Sequence, residues 1–155
     1  MDPCYQSGDF KKYFIKNMKA LNLFVPANFF ETREKAISTG SLILIAIKTL
    51  GKEATMAEIA GATISLEKLM VLGALNASGY VGAVIGSIAV ATGRSLACGY
   101  QISDMFVLLE RNNLKFENWI AFYSHNPEIL DINHKFRHSF GLKCKQPSYN
   151  FVHAL

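Results

Sequence analysis

Residues 81–94 read VGAVIGSIAVATGR, a run rich in glycine and alanine that holds no charge before its final arginine. The run forms the last part of a longer charge-free stretch of 25 residues between Lys68 and Arg94. As one helix this stretch would measure about 37 Å, which exceeds the ~30 Å of hydrocarbon in a bilayer. The stretch therefore predicts a chain organised around one apolar helix, and a helix that spans a membrane is its first interpretation.

Small residues recur at fixed intervals in and beside this stretch. Those predicted to serve membrane insertion and helix packing are Ala74, Ser78, Gly79, Gly82, Gly86 and Gly93. Four of them recur every four residues and so share one side of a helix. Because glycine costs about 1 kcal/mol in a helix interior, such a stripe implies close packing. In lipid, small residues let helix backbones meet, which predicts a homo-oligomer.

A second interpretation of the same region remains open. Residues 76–79 read NASG, which is acceptable turn chemistry. One helix would then run over about 56–75 and a second over about 80–109. The two would pack as an antiparallel hairpin inside an all-α core, and such a hairpin could be buried in solution and inserted on contact with a bilayer.

The rest of the chain also has helical periodicity. Apolar residues spaced over 10–25 predict an amphipathic helix whose other face carries Lys11, Lys12, Lys16 and Lys19. These lysines are expected to bind an anionic membrane surface; the alternative is an ordinary surface helix packed on a core. Asn28 with Glu31 predicts the cap of a helix that ends near Leu50, and Thr55 with Glu58 predicts a capping box.

The predicted fold class is therefore all-α, because no stretch alternates apolar and polar residues as a strand does. We expect a helical bundle with a central glycine- and alanine-rich helix or hairpin at about 56–109 and an irregular basic C-terminal tail. The chain is treated as a single domain, 1–155. Its parts are a basic amphipathic helix (1–27), an apolar helical core (28–109) and an aromatic and basic region (110–155).

The composition limits which classes of partner and which cellular compartment are expected. Only 18% of residues are charged and the net charge is +4, whereas soluble domains average about 25% charged residues. The basic residues form no long run or RNA-binding motif, so nucleic acid is not expected as a partner. Three widely spaced cysteines predict free thiols. With no apolar leader at residues 1–14, we expect synthesis in the cytoplasm without a signal peptide and action at a membrane.

A C-terminal cluster offers weak candidates for metal ligands. In DINHKFRHSFGLKC, His134 and His138 stand four residues apart, with Asp131 and Cys144 on either side. A helix could direct both imidazoles at one metal, but the glutamate that a zinc protease needs beside the first histidine is missing. A solvated basic segment is the favoured interpretation, and no cofactor is expected. A small metal-dependent hydrolase using 131–144 stays an alternative function.

The register of Ala74, Ser78, Gly82 and Gly86 resembles the glycine zippers of small pore-forming antibacterial toxins, including those exported by type VI secretion. The likeness covers about 69–93, and its first positions are alanine and serine instead of glycine. It implies a non-enzymatic toxin that inserts into a target membrane, oligomerises and depolarises it, with a secretion carrier and a cognate immunity protein as partners. The rival function is a soluble all-α interaction module, such as an immunity or adaptor protein.

Overall fold

The structure is a computed structural model that describes residues 9–93 and 102–146. Within these ranges the chain forms seven α-helices and no β-strand. The helices are α1 (Phe10–Ala20), α2 (Arg33–Leu50), α3 (Met56–Ala62), α4 (Ala77–Ala91), α5 (Ile102–Arg111), α6 (Trp119–His125) and α7 (Ser139–Cys144). Short 3-10 segments cover Ala27–Phe29, Ile64–Leu72 and Pro127–Ile129. The predicted all-α fold class is confirmed.

Local capping sets where two of the early helices begin. The backbone N–H of Glu58 donates to the Thr55 hydroxyl at 3.2 Å, and the Thr55 N–H donates to the Glu58 carboxylate at 2.8 Å. The predicted capping box is thus present at the start of α3. α2 begins elsewhere than predicted, because Thr32 is its cap and accepts from the Lys35 N–H at 3.1 Å. Asn28 lies instead in the 3-10 turn before it.

The charge-free stretch is broken near its start. Gly73 has φ +56°, a left-handed conformation that glycine adopts without steric cost, and the 3-10 segment ends there. Asn76 then caps α4, with its side-chain oxygen accepting from the Gly79 N–H at 2.9 Å. Residues 76–79 are therefore the first turn of α4 and not the loop of the predicted hairpin. The connection 94–101, on which the second predicted helix depended, lies outside the described residues.

The predicted transmembrane helix over 69–93 is wrong. α4 has 15 residues, or about 22 Å of helix, which falls short of the ~30 Å hydrocarbon core. Across 9–93 and 102–146 no helix has both the length and the apolar character needed to cross a bilayer. The pore-forming, membrane-inserting toxin inferred from this run loses the spanning segment on which the inference depended.

α4 is instead the central helix of the core. Every residue in it except Val90 is buried, so its nearly uniform apolar composition suits an interior position on all sides. α1 and α2 form its main contacts, and α3, α7 and the 3-10 turn at Pro127–Ile129 also pack against it. A helix enclosed in this way needs small residues where its neighbours come closest.

A buried cluster of polar side chains links the C-terminal region to this core through hydrogen bonds. The Asn17 amide nitrogen on α1 donates to the Ser87 hydroxyl on α4 at 2.9 Å and to the Ile129 carbonyl at 3.2 Å. The Arg137 guanidinium donates to the Asn17 side-chain oxygen and, at 3.0 Å, to the Glu128 carbonyl. Burial lowers the pKa of Arg137 from its ordinary value. Since each buried polar group has partners, the cluster fixes how α1, α4 and 127–137 pack.

Candidate interaction groove

Gly82 and Gly86, from the predicted packing stripe, lie against the chain's own C-terminal half. A Cβ on Gly82 would stand 2.2 Å from Phe122 of α6, and one on Gly86 would stand 2.3 Å from Ile129. Tyr123 adds a hydrogen bond from its hydroxyl to the Gly82 carbonyl at 2.7 Å. At these two positions the absence of a side chain permits a close approach, and the segments approached, α6 and the 3-10 turn at Pro127–Ile129, belong to the same chain.

The other residues of the stripe have different neighbours from Gly82 and Gly86. Ser78 is buried and donates from its hydroxyl to the Lys52 carbonyl at 2.8 Å, while Gly79 completes the Asn76 cap. Gly93 follows α4 with φ +82°. Ala74 precedes α4, is exposed, and lines an open groove. The four-residue register breaks because Ala74 is not in the helix.

The C-terminal candidates for metal ligands point to different partners. Asp131 accepts from the Asn133 N–H at 3.0 Å, and His134 Nδ1 accepts from the Phe136 N–H at 3.1 Å. Cys144 is fully buried, and burial raises its thiol pKa above the ordinary value. In the part of the chain that the structure describes, no three His, Cys, Asp or Glu side chains are grouped for a metal ion. The sequence cluster is therefore not a spatial one.

The lysines of the N-terminal helix are all on the surface. Lys11, Lys12, Lys16 and Lys19 are exposed, while Phe14, Asn17 and Met18 on the opposite face of α1 are buried against the core. α1 thus has the amphipathic form predicted, although it ends at Ala20 and not at 25. Its apolar face is occupied within the fold. Among the described residues the basic face is exposed.

An apolar groove of about 920 Å³ opens beside this basic face. Its lining comes from α1, from the segment after α1, from the end of the second 3-10 segment, from the turn between that segment and α4, and from the residue after α7. These residues are Ile15, Lys19, Asn22, Leu23, Phe24, Val25, Val71, Leu72, Ala74, Leu75 and Lys145. Leu23 and Leu72 are only 4% and 5% exposed, whereas Phe24 and Val71 are 59% and 65% exposed. Large apolar side chains therefore stand in solvent around a depression that already has a buried floor.

Hydrogen bonds from the core hold the groove open. The Tyr80 hydroxyl on α4 donates to the Phe24 carbonyl at 2.8 Å. Burial raises the pKa of Tyr80 well above its ordinary value, so the phenol keeps the proton that it donates. On the other side, the Asn76 N–H donates to the Cys144 carbonyl at 2.8 Å. Both walls are thus tied to the N-terminal end of the central helix.

A tight backbone contact fixes the segment that carries Phe24. Asn22 ends α1 in the left-handed conformation with φ +63°. The Leu23 N–H donates back to the Met18 carbonyl at 3.0 Å, as in common helix C-terminal motifs. A Cβ on Gly141 of α7 would stand 2.4 Å from the Asn22 carbonyl oxygen. The turn is therefore held from both sides, which fixes the wall of the groove that carries Phe24.

The groove was missed by sequence reasoning, because its residues are far apart in the chain. Phe24 and Val71 lie 47 positions apart, and each sits in a stretch where an apolar residue is expected to be buried. The available signal was Asn22 followed by Pro26, which places a turn within the predicted 10–25 helix.

Comparison with family models, with curated proteins and with solved structures finds no match to this chain.

Proposed function

We propose that this protein is an interaction module that holds a segment of a partner protein in the groove beside α1. The observation that carries the proposal is the exposure of Phe24 and Val71 around a floor of buried leucine. Single apolar residues on a surface are ordinary, but several around one concavity are typical of a binding site. The groove borders the basic helix through Ile15 and Lys19.

The chemistry of the lining supports binding and gives no support to catalysis. The polar side chains around the groove are Lys19, Asn22 and Lys145. Lys19 and Lys145 are both exposed, so neither amine has the desolvated setting that activates a lysine as a nucleophile. It offers cations and an amide above apolar walls, which is a recognition surface.

Site-specific photocrosslinking in cells that make the protein tests this function. The photoreactive residue p-benzoylphenylalanine replaces Phe24 or Val71 in the groove, and in matched controls it replaces Ile45 or Phe136. These controls have nearly the same exposure, 58% and 62%, and lie outside the groove lining. Both groove positions should form adducts with one segment of one protein, which mass spectrometry identifies.

The identified partner is then purified and titrated against the intact protein. Val71→Ser should weaken that complex at least about ten-fold, because it removes an apolar contact at the groove, whereas Ile45→Ser should leave it unchanged. Adducts of equal yield at all four positions, or none at any, would overturn the proposal. So would a complex that is indifferent to Val71→Ser.

A further inference from the structure

We infer that the segment received by the groove is an acidic amphipathic helix, an inference that rests on the proposed function and specifies its partner. Two features of the surface decide the chemistry. One is a row of exposed lysines on α1 beside the groove, and the other is the concave apolar shape of the groove itself. Each feature constrains a different face of the partner.

The basic stripe consists of Lys12, Lys16 and Lys19, which recur at four and three residues along α1 and so share one side of it. Ile15 and Lys19 belong both to this face and to the groove. Among the described residues, no carboxylate lies within ion-pair distance of Lys16, Lys19 or Lys145. A partner that lies along the groove therefore meets unneutralised positive charge.

The shape of the site favours a helix over a lipid surface. Its apolar residues line a depression, in which Leu23 and Leu72 are nearly buried and Phe24 and Val71 are exposed to solvent. A row of apolar side chains on a helix fills such a depression, as in helix-in-groove recognition. A flat bilayer surface would leave the floor unfilled. Basic charge with exposed phenylalanine is shared with membrane-binding surfaces, so vesicles form one arm of the test.

The spacing of the lysines sets the spacing of the partner's acids. Lys12 and Lys19 are seven residues apart, or about 10 Å along α1. A partner helix with the same rise places glutamates over this distance when they recur at four and three residues. Its apolar residues then fall on the adjoining face, at the usual helical intervals.

The probe is a synthetic, fluorescein-labelled helix of about 14 residues, roughly 20 Å long. Its apolar row is leucine and phenylalanine, and its flanking row carries glutamates at the spacing of the stripe. A second peptide replaces each glutamate with lysine, and a third has the composition of the first in an order that destroys the helical periodicity. Binding to the intact protein is measured by fluorescence anisotropy.

Two double variants match each other in charge. Lys16→Glu with Lys19→Glu reverses the stripe, while Lys48→Glu with Lys52→Glu makes the same change in net charge at exposed positions outside the groove. Reversing the stripe should weaken binding of the acidic probe at least about ten-fold, since each position exchanges an attraction for a repulsion. The control pair should change it less than about three-fold. Circular dichroism checks that both fold.

The outcomes separate this inference from the proposed function. Binding of the acidic probe, with weak or no binding of the lysine and disordered probes, supports the inference. Equal binding of the acidic and lysine probes would overturn it while leaving a groove-binding module intact. So would binding to phosphatidylglycerol vesicles without binding of the acidic probe, or the absence of binding up to ~1 mM. A crosslinked partner segment rich in lysine would overturn it directly.

Discussion

Replacing Gly82 by alanine tests how the central helix is packed. A Cβ at this position would lie 2.2 Å from Cζ and 2.4 Å from Cε2 of Phe122. The phenylalanine ring is fully buried and stands edge-on to Phe116 and Tyr123, with ring centroids 5.8 and 4.9 Å away. The ring therefore has little room to retreat, and overpacking of this kind costs about 1–3 kcal/mol.

Gly40→Ala is the matched control, because Gly40 is also buried within a helix of the core. Its Cβ would have its nearest contact at 3.5 Å, an ordinary van der Waals distance. Both substitutions gain about 1 kcal/mol of helix propensity, so this gain cancels in the comparison. The packing cost is what remains. Gly40→Ala should stabilise the protein.

Thermal and urea unfolding measure the difference between the two variants. We expect Gly82→Ala to be about 2 kcal/mol less stable than Gly40→Ala, or about 4–8 °C lower in Tm for a chain of this size. Adding Phe122→Leu to Gly82→Ala should cost less than Phe122→Leu does alone, since the smaller side chain relieves the clash. A Gly82→Ala protein as stable as Gly40→Ala would refute the packing described for α4.

Four further predictions concern the ends of the core. Lys143 Nζ lies 2.6 Å from the carboxylate of Glu128, which is 3% exposed. Lys143→Met should lower the free energy of unfolding, measured in urea, by about 3–5 kcal/mol because it leaves a buried charge unpaired. A decrease below about 1 kcal/mol would contradict this. Burial raises the pKa of Cys144, so its thiol should resist iodoacetamide until the protein unfolds. Mass spectrometry of the peptide that contains Cys144 follows the labelling. Fast labelling of the folded protein would be inconsistent with that burial. Because the thiol pKa is higher in the folded than in the unfolded protein, Cys144 contributes stability below the unfolded thiol pKa of about 8.5, and this contribution is lost as the pH rises above it. Above about pH 8.5 the free energy of unfolding should therefore fall less steeply in Cys144→Ala than in the wild-type protein. Asn76→Ala removes the acceptor 2.9 Å from the Gly79 N–H and should lower Tm through a loss of about 1 kcal/mol; an unchanged Tm would show that the cap is dispensable.

Local signals in the sequence predicted the parts of the fold that depend on local contacts. The capping box at Thr55 and Glu58 involves residues three apart, and it is present. The all-α class follows from periodicity within single helices. The predicted 10–25 helix is too long because Leu21 and Val25 continue the apolar spacing, whereas Asn22 turns the chain at φ +63°. Spacing alone did not reveal that turn.

The glycine stripe shows why the partner of a packing surface is harder to predict than the surface. Gly82 and Gly86 do allow a close approach, but their period is the same whether the neighbour is a second copy or Phe122 of the same chain. The groove is a non-local feature in the same sense. It exists because α4 and its cap hold residues near 24 and 145 in place through Tyr80 and Asn76.

Native-state hydrogen exchange of the α4 amides tests whether the glycine-rich run is the interior helix whose N-terminal end anchors the groove. With residues from Ser78 to Ala89 buried on all sides, their amides should exchange only through global unfolding. Their free energies of exchange should then equal the free energy of unfolding from urea denaturation. Exchange of the α4 amides at the rate of the exposed lysine face of α1 would contradict the account.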